Sequence, residues 1–386
     1  MTATPRYEND MIDIHRPSMP DVRRIPAERI VIGVAGDYKP CVAKLPGGEL
    51  LTVAFRTGGK AGGTRRIGGR DVPLMHEEII LFRSTDGGRT WSDSRNLNLP
   101  GREPYFTILS DGTMLMTVHL LAQDVRNEWG YCSAFVHRST DGGQTWRSTR
   151  FPGEDLPGWE PGEVTCSSRN VLELFDGSLI LGVATGKGVN HLYRSQDKGA
   201  TWRRAEACVF QPPQDAPEGR SWSSVLWLGE TIFRQAANGD LLAILRGASR
   251  RVHADHHADQ HSRMMLYRSG DGGRTWLHGQ LGNEDGEMYP AILKLLDGRL
   301  LLTFTVRSLH PPLGVRAVLG RETPDGVAFD FRRDRFMLDV KTPMDKASGG
   351  GFGRTVQLED GALVTSCSYM GEDDQFHCEV IRWRLP

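Results

Sequence analysis

At 386 residues, with 47 basic and 48 acidic side chains and a formal net charge of −1, the chain lacks the basic footprint of a nucleic-acid binder and any polybasic membrane patch. The start, Met1-Thr2-Ala3-Thr4-Pro5-Arg6, has no apolar signal core, and no run of 18 apolar residues occurs, so a soluble, cytoplasmic protein without a membrane partner is expected. A secreted form with its leader removed fits the same sequence. Six cysteines (Cys41, Cys132, Cys166, Cys208, Cys367, Cys378) stand far apart without CxxC spacing and read as mostly buried thiols, with one disulfide open to a secreted form.

In chain order, six segments repeat one plan, a turn glycine followed by an aliphatic strand. Their last glycines are Gly48, Gly112, Gly177, Gly239, Gly298 and Gly361, at intervals of 64, 65, 62, 59 and 63 residues. Each glycine supplies the positive φ of a tight turn ahead of an apolar strand such as Leu50-Leu51-Thr52-Val53-Ala54-Phe55. Units of this length that nearly fill the chain predict an all-β, six-bladed β-propeller in a single domain, residues 1–386. Closure is expected to pair Cys378–Trp383 with an N-terminal strand around Arg29–Ile32, protecting both sheet edges.

A second repeat is offset from the first. Ser84-Thr85-Asp86-Gly87-Gly88-Arg89-Thr90-Trp91 recurs at Ser139–Trp146, Ser195–Trp202 and Ser269–Trp276, with a worn copy from Thr323 and none in the sixth unit. Asp and Ser/Thr side chains that bond turn amides, glycines for unusual dihedrals and a packed Trp make a hairpin clasp. These boxes are structural.

Together the box and the six turn-glycine strands resemble the sialidase superfamily of six-bladed propellers. That resemblance implies three arginines clamping a substrate carboxylate, a Tyr nucleophile activated by a Glu, and an Asp acid/base, an exception to the two-carboxylate glycosidase scheme. Counting from the turn glycines, the activating Glu falls on Glu230 and the following clamp arginine on Arg246; the third clamp arginine falls close to Arg316. The nucleophile position holds Phe352, which has no hydroxyl. The first clamp position holds Tyr38, with Lys39 beside it and Pro40 kept; Arg24-Ile25-Pro26 matches the expected motif literally but lies too early. The acid/base is expected after Arg56, where Asp71 is the only aspartate before the box. Ordinary sialidase chemistry therefore lacks its nucleophile, and Lys39 does not reproduce the bidentate fork of an arginine.

The same count places Lys39, Glu103, Ser168, Glu230, Tyr289 and Phe352 nine residues before the six glycines, at equal height around the channel mouth. Two carboxylates, a lysine and a tyrosine on one ring, with Arg246, Arg316, Arg56, Arg307 and Arg354 nearby, predict a polar ligand site, against the alternative of a solvated mouth whose charges neutralise one another. Tyr289 beside Glu230 is a candidate relocated Glu–Tyr pair, and Glu103 with Glu230 a candidate acid–base pair. A long fourth-unit insertion carries His253, His256, His257 and His261 with Asp255 and Asp259, read as a solvated loop, a substrate lid or a metal site of low specificity; no metal or cofactor is assigned.

The expected function is sialidase-like glycoside hydrolysis of an acidic or polyhydroxylated sugar, in a small molecule or an oligosaccharide. Glu230, Tyr289 and Asp71 are the catalytic candidates. Arg246, Arg316, Lys39, Tyr38, Arg56, Glu103, Arg354 and Phe352 are the substrate-binding candidates. Two other readings stay open: a uronate lyase, in which a base takes the C5 proton, and a non-catalytic glycan-binding propeller.

Overall fold

A computed structural model describes residues 23–211, 225–249, 262–281, 287–306, 314–324, 326–329, 335–338 and 353–385. Six sheets, antiparallel except for a short parallel edge in the fifth, follow one another around a central channel, each led by an inner strand. Blade 1 holds Asp37–Lys44, Leu50–Arg56, Glu78–Ser84 and Arg95–Asn96; blade 2 holds Arg102–Ile108, Met114–Leu120, Ser133–Ser139 and Arg147–Phe151. The inner strands of blades 4, 5 and 6 are Val225–Gln235, Glu287–Lys294 and Thr355–Gln357; that of blade 3 is split into Thr165–Ser167 and Leu172–Glu173. The last blade closes as the sequence predicts. Ala27–Ile32 pairs antiparallel with Phe376–Trp383, in a register that sets Arg29 against Ile381 and Ile32 against Cys378. Arg23–Arg24, part of the early Arg-Ile-Pro segment, instead pairs with Arg335–Met337 in blade 5.

The second strands are buried on both faces, as Leu50–Phe55, Met114–Val118 and Leu300–Val306 show, because each sheet is covered by both neighbours. The core is accordingly a series of interblade layers. One is built from Ile32, Val42, Leu50, Phe82, Val364 and Val380 between blades 6 and 1.

The boxes close the lower side. In the first, Ser84 Oγ donates to Asp86 Oδ1 at 2.9 Å, and that oxygen accepts the Arg89 and Thr90 amides, each at 3.0 Å. Thr90 Oγ1 donates to Asp86 Oδ2 at 2.6 Å, and Trp91 Nε1 donates to the Gly88 carbonyl at 3.1 Å. Gly87 and Gly88 hold φ of 73° and 85° in this turn. Blades are also pinned to one another here. The Ser110, Phe175 and Leu296 amides donate to Glu173 Oε2, Gln235 Oε1 and Gln357 Oε1 of the following blades, at 2.7, 2.8 and 2.7 Å.

Longer excursions gather on the opposite, upper side. They include a two-stranded arm (Lys60–Ile67 with Arg70–Met75) and the connections 121–132 and 152–164. Inner strands begin at the upper mouth and end at the lower one.

Candidate active site

At the upper end of the inner strands, four residues without glycine's freedom adopt the left-handed backbone conformation. They are Lys39, Glu103, Glu230 and Tyr289, with φ of 51°, 52°, 53° and 56°. All four stand nine residues before their turn glycine, and a register shift interrupts the ladder beside each. A bulge turns a side chain that would otherwise follow the strand's alternation. Here the same device recurs in blades 1, 2, 4 and 5, and it gathers the four side chains into one network. Three of them precede a proline (Pro40, Pro104, Pro290), which cannot supply a ladder hydrogen bond.

The network alternates in charge. Lys39 Nζ lies 2.5 Å from Glu103 Oε1, and Arg169 Nη2 bridges Glu103 Oε2 at 2.8 Å and Glu230 Oε1 at 2.5 Å. Arg246 Nη1 continues to Glu230 Oε2 at 3.4 Å and to the Tyr289 hydroxyl at 3.5 Å. Lys39 Nζ, 4.7 Å above the centre of the Tyr289 ring, returns the path to its start. Links on the Lys39 side are short and dry; Glu230 and Arg246 form the longest ion pair and carry the most exposed charges of the circuit, at 12% and 13% of their side chains. The longest contacts of the circuit are therefore those of Arg246, while Glu230 stays held by Arg169 at 2.5 Å.

Burial by itself would hold the Glu103 carboxyl protonated, but Lys39 and then Arg169 outweigh it and keep the group well below the usual carboxylate range. Arg169 is buried too, and Glu230 and Glu103 keep it charged. His119, at the end of the second strand of blade 2, is pushed down to about 3 by burial, against the pull of Glu103, and so stays neutral. Beside these groups lies Glu77, 2% exposed, with Oε2 3.4 Å from Arg102 and Oε1 without a hydrogen-bond partner. Burial, opposed by Arg102 and reinforced by Glu103 and Asp124, raises its carboxyl to about 7.

The BNR repeat-like domain family matches residues 37–300, which cover blades 1 to 4 and the inner strand of blade 5. The chain belongs to that family. A curated xyloglucanase from a Paenibacillus species is 30% identical over 167 residues, 41% of this chain and 14% of the relative, so the chain spans a small part of that enzyme's length. A protein of unknown function from Dyadobacter fermentans superposes with a TM-score of 0.65 at 22% identity, covering 95% of this chain and all of the other. The NanB sialidase of Streptococcus pneumoniae gives a TM-score of 0.61 at 12% identity over 94% of this chain and 70% of its own. The sialidase-like propeller is thereby shown as a fold, and the xyloglucanase and the sialidase are glycoside hydrolases of the propeller type.

In this BNR repeat-like propeller the sequence-derived candidates separate. Lys39, Glu103, Glu230, Arg246 and Tyr289 come together. Tyr38 lies at the edge of the network: its ring is stacked on Phe376 at 4.0 Å and against Phe55 at 5.5 Å, 5% exposed, with Lys39 Nζ 5.4 Å from its centre. Asp71 sits on the exposed arm, 3.5 Å from Arg66, and no contact among the described residues brings it to the network. Arg56 is engaged bidentately by Asp37 at 2.7 and 3.0 Å. Arg316 is fully buried in the third strand of blade 5 and presents no surface to a ligand. Arg354 lies beneath the network, its guanidinium 5.0 Å over the Tyr105 ring. In blade 3 the ring place passes from Ser168 to Arg169; Ser168 Oγ turns away to donate to the Asn170 carbonyl at 2.8 Å. Phe352, Arg307 and the insertion residues His253, Asp255, His256, His257, Asp259 and His261 lie outside the described residues.

Three members were not singled out from the sequence. His119 stands seven residues after Gly112, as Arg246 stands seven after Gly239, so the same count applied to second strands finds it. Arg169 is one residue past the ring position, where the split inner strand of blade 3 shifts the register. Glu77 carries no periodic signal at all.

Proposed function

We propose that the chain is a glycoside hydrolase that binds an acidic or polyhydroxylated sugar at the upper mouth of its channel. The observation that carries this reading is the circuit of alternating charge, set on strained backbone, with its longest contacts at Arg246. A plug needs none of these costs, since apolar side chains seal a channel without desolvating ions. Local strain of this kind concentrates where side chains must be aimed for function.

A sugar carboxylate or vicinal hydroxyls would take the place of Glu230 on the Arg246 guanidinium, which offers a planar fork of donors. The Tyr289 hydroxyl lies 3.5 Å from Arg246 Nη1, and Glu230, still held by Arg169, is the base that would take the phenol proton. Phenolate attack on the anomeric carbon breaks the glycosidic C–O bond, and the leaving oxygen takes a proton from a carboxylic acid. Glu77, protonated into the neutral range, is the acid of this set; at 2% exposure it would pass its proton to the leaving oxygen through a water, and its carboxylate then receives a proton from the water that releases the sugar.

The test is turnover of a panel of sialosides, uronosides and neutral oligosaccharides by wild type, Glu230→Gln and Tyr289→Phe. Wild-type release of a sugar, with kcat lowered about 100-fold or more in both variants, is the expected result. Undiminished turnover in Glu230→Gln would refute the assignment, and an unsaturated product absorbing in the near ultraviolet would replace hydrolysis by elimination.

A further inference from the structure

The channel has a second chamber. Below the upper network, the lower ends of the inner strands enclose about 500 Å³. Its floor carries Arg354 and Tyr105, its walls include Val171, Phe233 and Val356, and Lys44 and Lys294 stand at its rim. None of the five strand-borne groups of the upper circuit lines it.

Arg354 is the unusual group. Its guanidinium meets no carboxylate among the described residues; its contacts are Cys41 Sγ, 3.8 Å from Nη1, and the face of Tyr105. Cys41 is not its counterion, because burial raises that thiol despite Arg354 and keeps it neutral. Lys44 likewise takes part in no ion pair among the described residues, and Lys294 is 3.7 Å from Glu322. The other charges around the chamber are matched: Arg234 pairs with Glu322, and Glu173 with Lys198 at 2.6 Å. A half-buried guanidinium that faces a chamber with donors to spare is a ready seat for an oxyanion acceptor.

We infer that this lower chamber is a second binding site, for a small oxyanion: a carboxylate or phosphate group seated on Arg354, drawn in past Lys44 and Lys294, on a compact body resting against the apolar walls. The volume falls within the range of about 300–1,000 Å³ usual for small-molecule sites. The upper circuit lies between this chamber and the upper mouth, so a ligand here enters from the lower face. The site does not depend on the hydrolase reading.

Calorimetric titration of the full chain with inorganic phosphate, with glucuronate and with glucose tests it. Saturable one-to-one binding of at least one anion, with none of glucose, is expected, and which anion binds separates phosphate from carboxylate. Arg354→Gln should weaken it at least tenfold and Lys44→Gln severalfold, whereas Glu230→Gln should leave it unchanged. Absence of binding by both anions, affinity undiminished in Arg354→Gln, or binding abolished by Glu230→Gln would overturn the assignment. Should Arg354→Gln fail to fold, the Lys44→Gln, Lys294→Gln double variant decides: unaltered affinity in it rejects the site. Loss of glycosidase activity in the upper-site variants would leave these outcomes untouched, so the two readings fail separately.

Discussion

Glu77→Gln should make the protein more stable at pH 8 and leave it almost unchanged at pH 4. In the folded chain the Glu77 carboxyl is raised from 4.5 to about 7, first by burial. A raised folded value means that the neutral form is the one the fold accommodates. Its contribution is complete below about 4.5 and is lost as pH climbs through about 7. Spanning that interval at about 1.36 kcal/mol per pH unit, the ionised side chain costs the wild type about 3 kcal/mol at pH 8, a cost glutamine never incurs. An unfolding entropy of about 2.1 cal/mol/K per residue gives about 0.8 kcal/mol/K for this length, so the variant should melt about 4 °C higher at pH 8. Thermal scans of both proteins at half-unit steps from pH 4 to pH 8, at one fixed scan rate, isolate the effect, because every other titration is common to the pair. A difference in Tm that stays flat across the series would refute the reasoning: Glu77 would then titrate like an exposed carboxylate, and its role as a proton donor near neutrality would fall with it.

The remaining predictions concern the ion circuit and the boxes. Lys39→Met removes the cation 2.5 Å from Glu103 and leaves that carboxylate to Arg169 alone. It should destabilise by about 3 kcal/mol in urea unfolding, and adding Glu103→Gln should recover part of the loss, since the cost lies in an unpaired buried charge. Asp86→Ala removes the acceptor of four hydrogen bonds in the first box and should cost about 1–2 kcal/mol. Those hydrogen bonds, from Thr90 above all, hold the Asp86 carboxyl down at about 2, so its contribution is present above 3.8 and fades as pH falls toward 2. The Asp86→Ala deficit should therefore narrow on acidification; a deficit that grows would contradict the clasp.

The blades were legible because turns and boxes are local. A glycine at φ above 70° and an Asp that bonds amides three and four residues on leave their mark within one stretch of sequence. Closure by Ala27–Ile32 was legible too, since a ring of six sheets leaves two edges to cover. Height around the channel could also be counted, which is why Lys39, Glu103, Glu230 and Tyr289 were found together. Facing could not. Tyr38 and Lys39 are neighbours, and a bulge decides which one enters the channel; it chose Lys39 and sent Tyr38 into the packing with Phe376. In blade 3 the split strand moved the choice by one residue, to Arg169. Asp71 and Glu77 show the other limit. Both lie in the connection after Arg56, and the sequence favours the aspartate, but the arm carries Asp71 into solvent while the chain returning to the blade buries Glu77.

What distinguishes a site from a seal here is that the backbone itself is committed. A left-handed conformation costs a residue with a side chain about 1 kcal/mol or more, and four residues at one height adopt it. Each is a residue whose side chain acquires an ionic, hydrogen-bonding or cation–π partner by turning inward. Had closure been the only requirement, the inner strands could run regularly and present the valines and leucines that fill their second strands. The circuit is instead tight on one side, at Lys39, Glu103 and Arg169, and slack on the other, at Arg246 and Tyr289. A uniformly tight circuit would exclude ligands, and a uniformly slack one would not hold Glu230 and Tyr289 in place. The rigid half fixes the geometry against which the slack half can exchange Glu230 for a substrate group at Arg246, so the asymmetry of the ion pairs, more than their number, makes this mouth a binding surface.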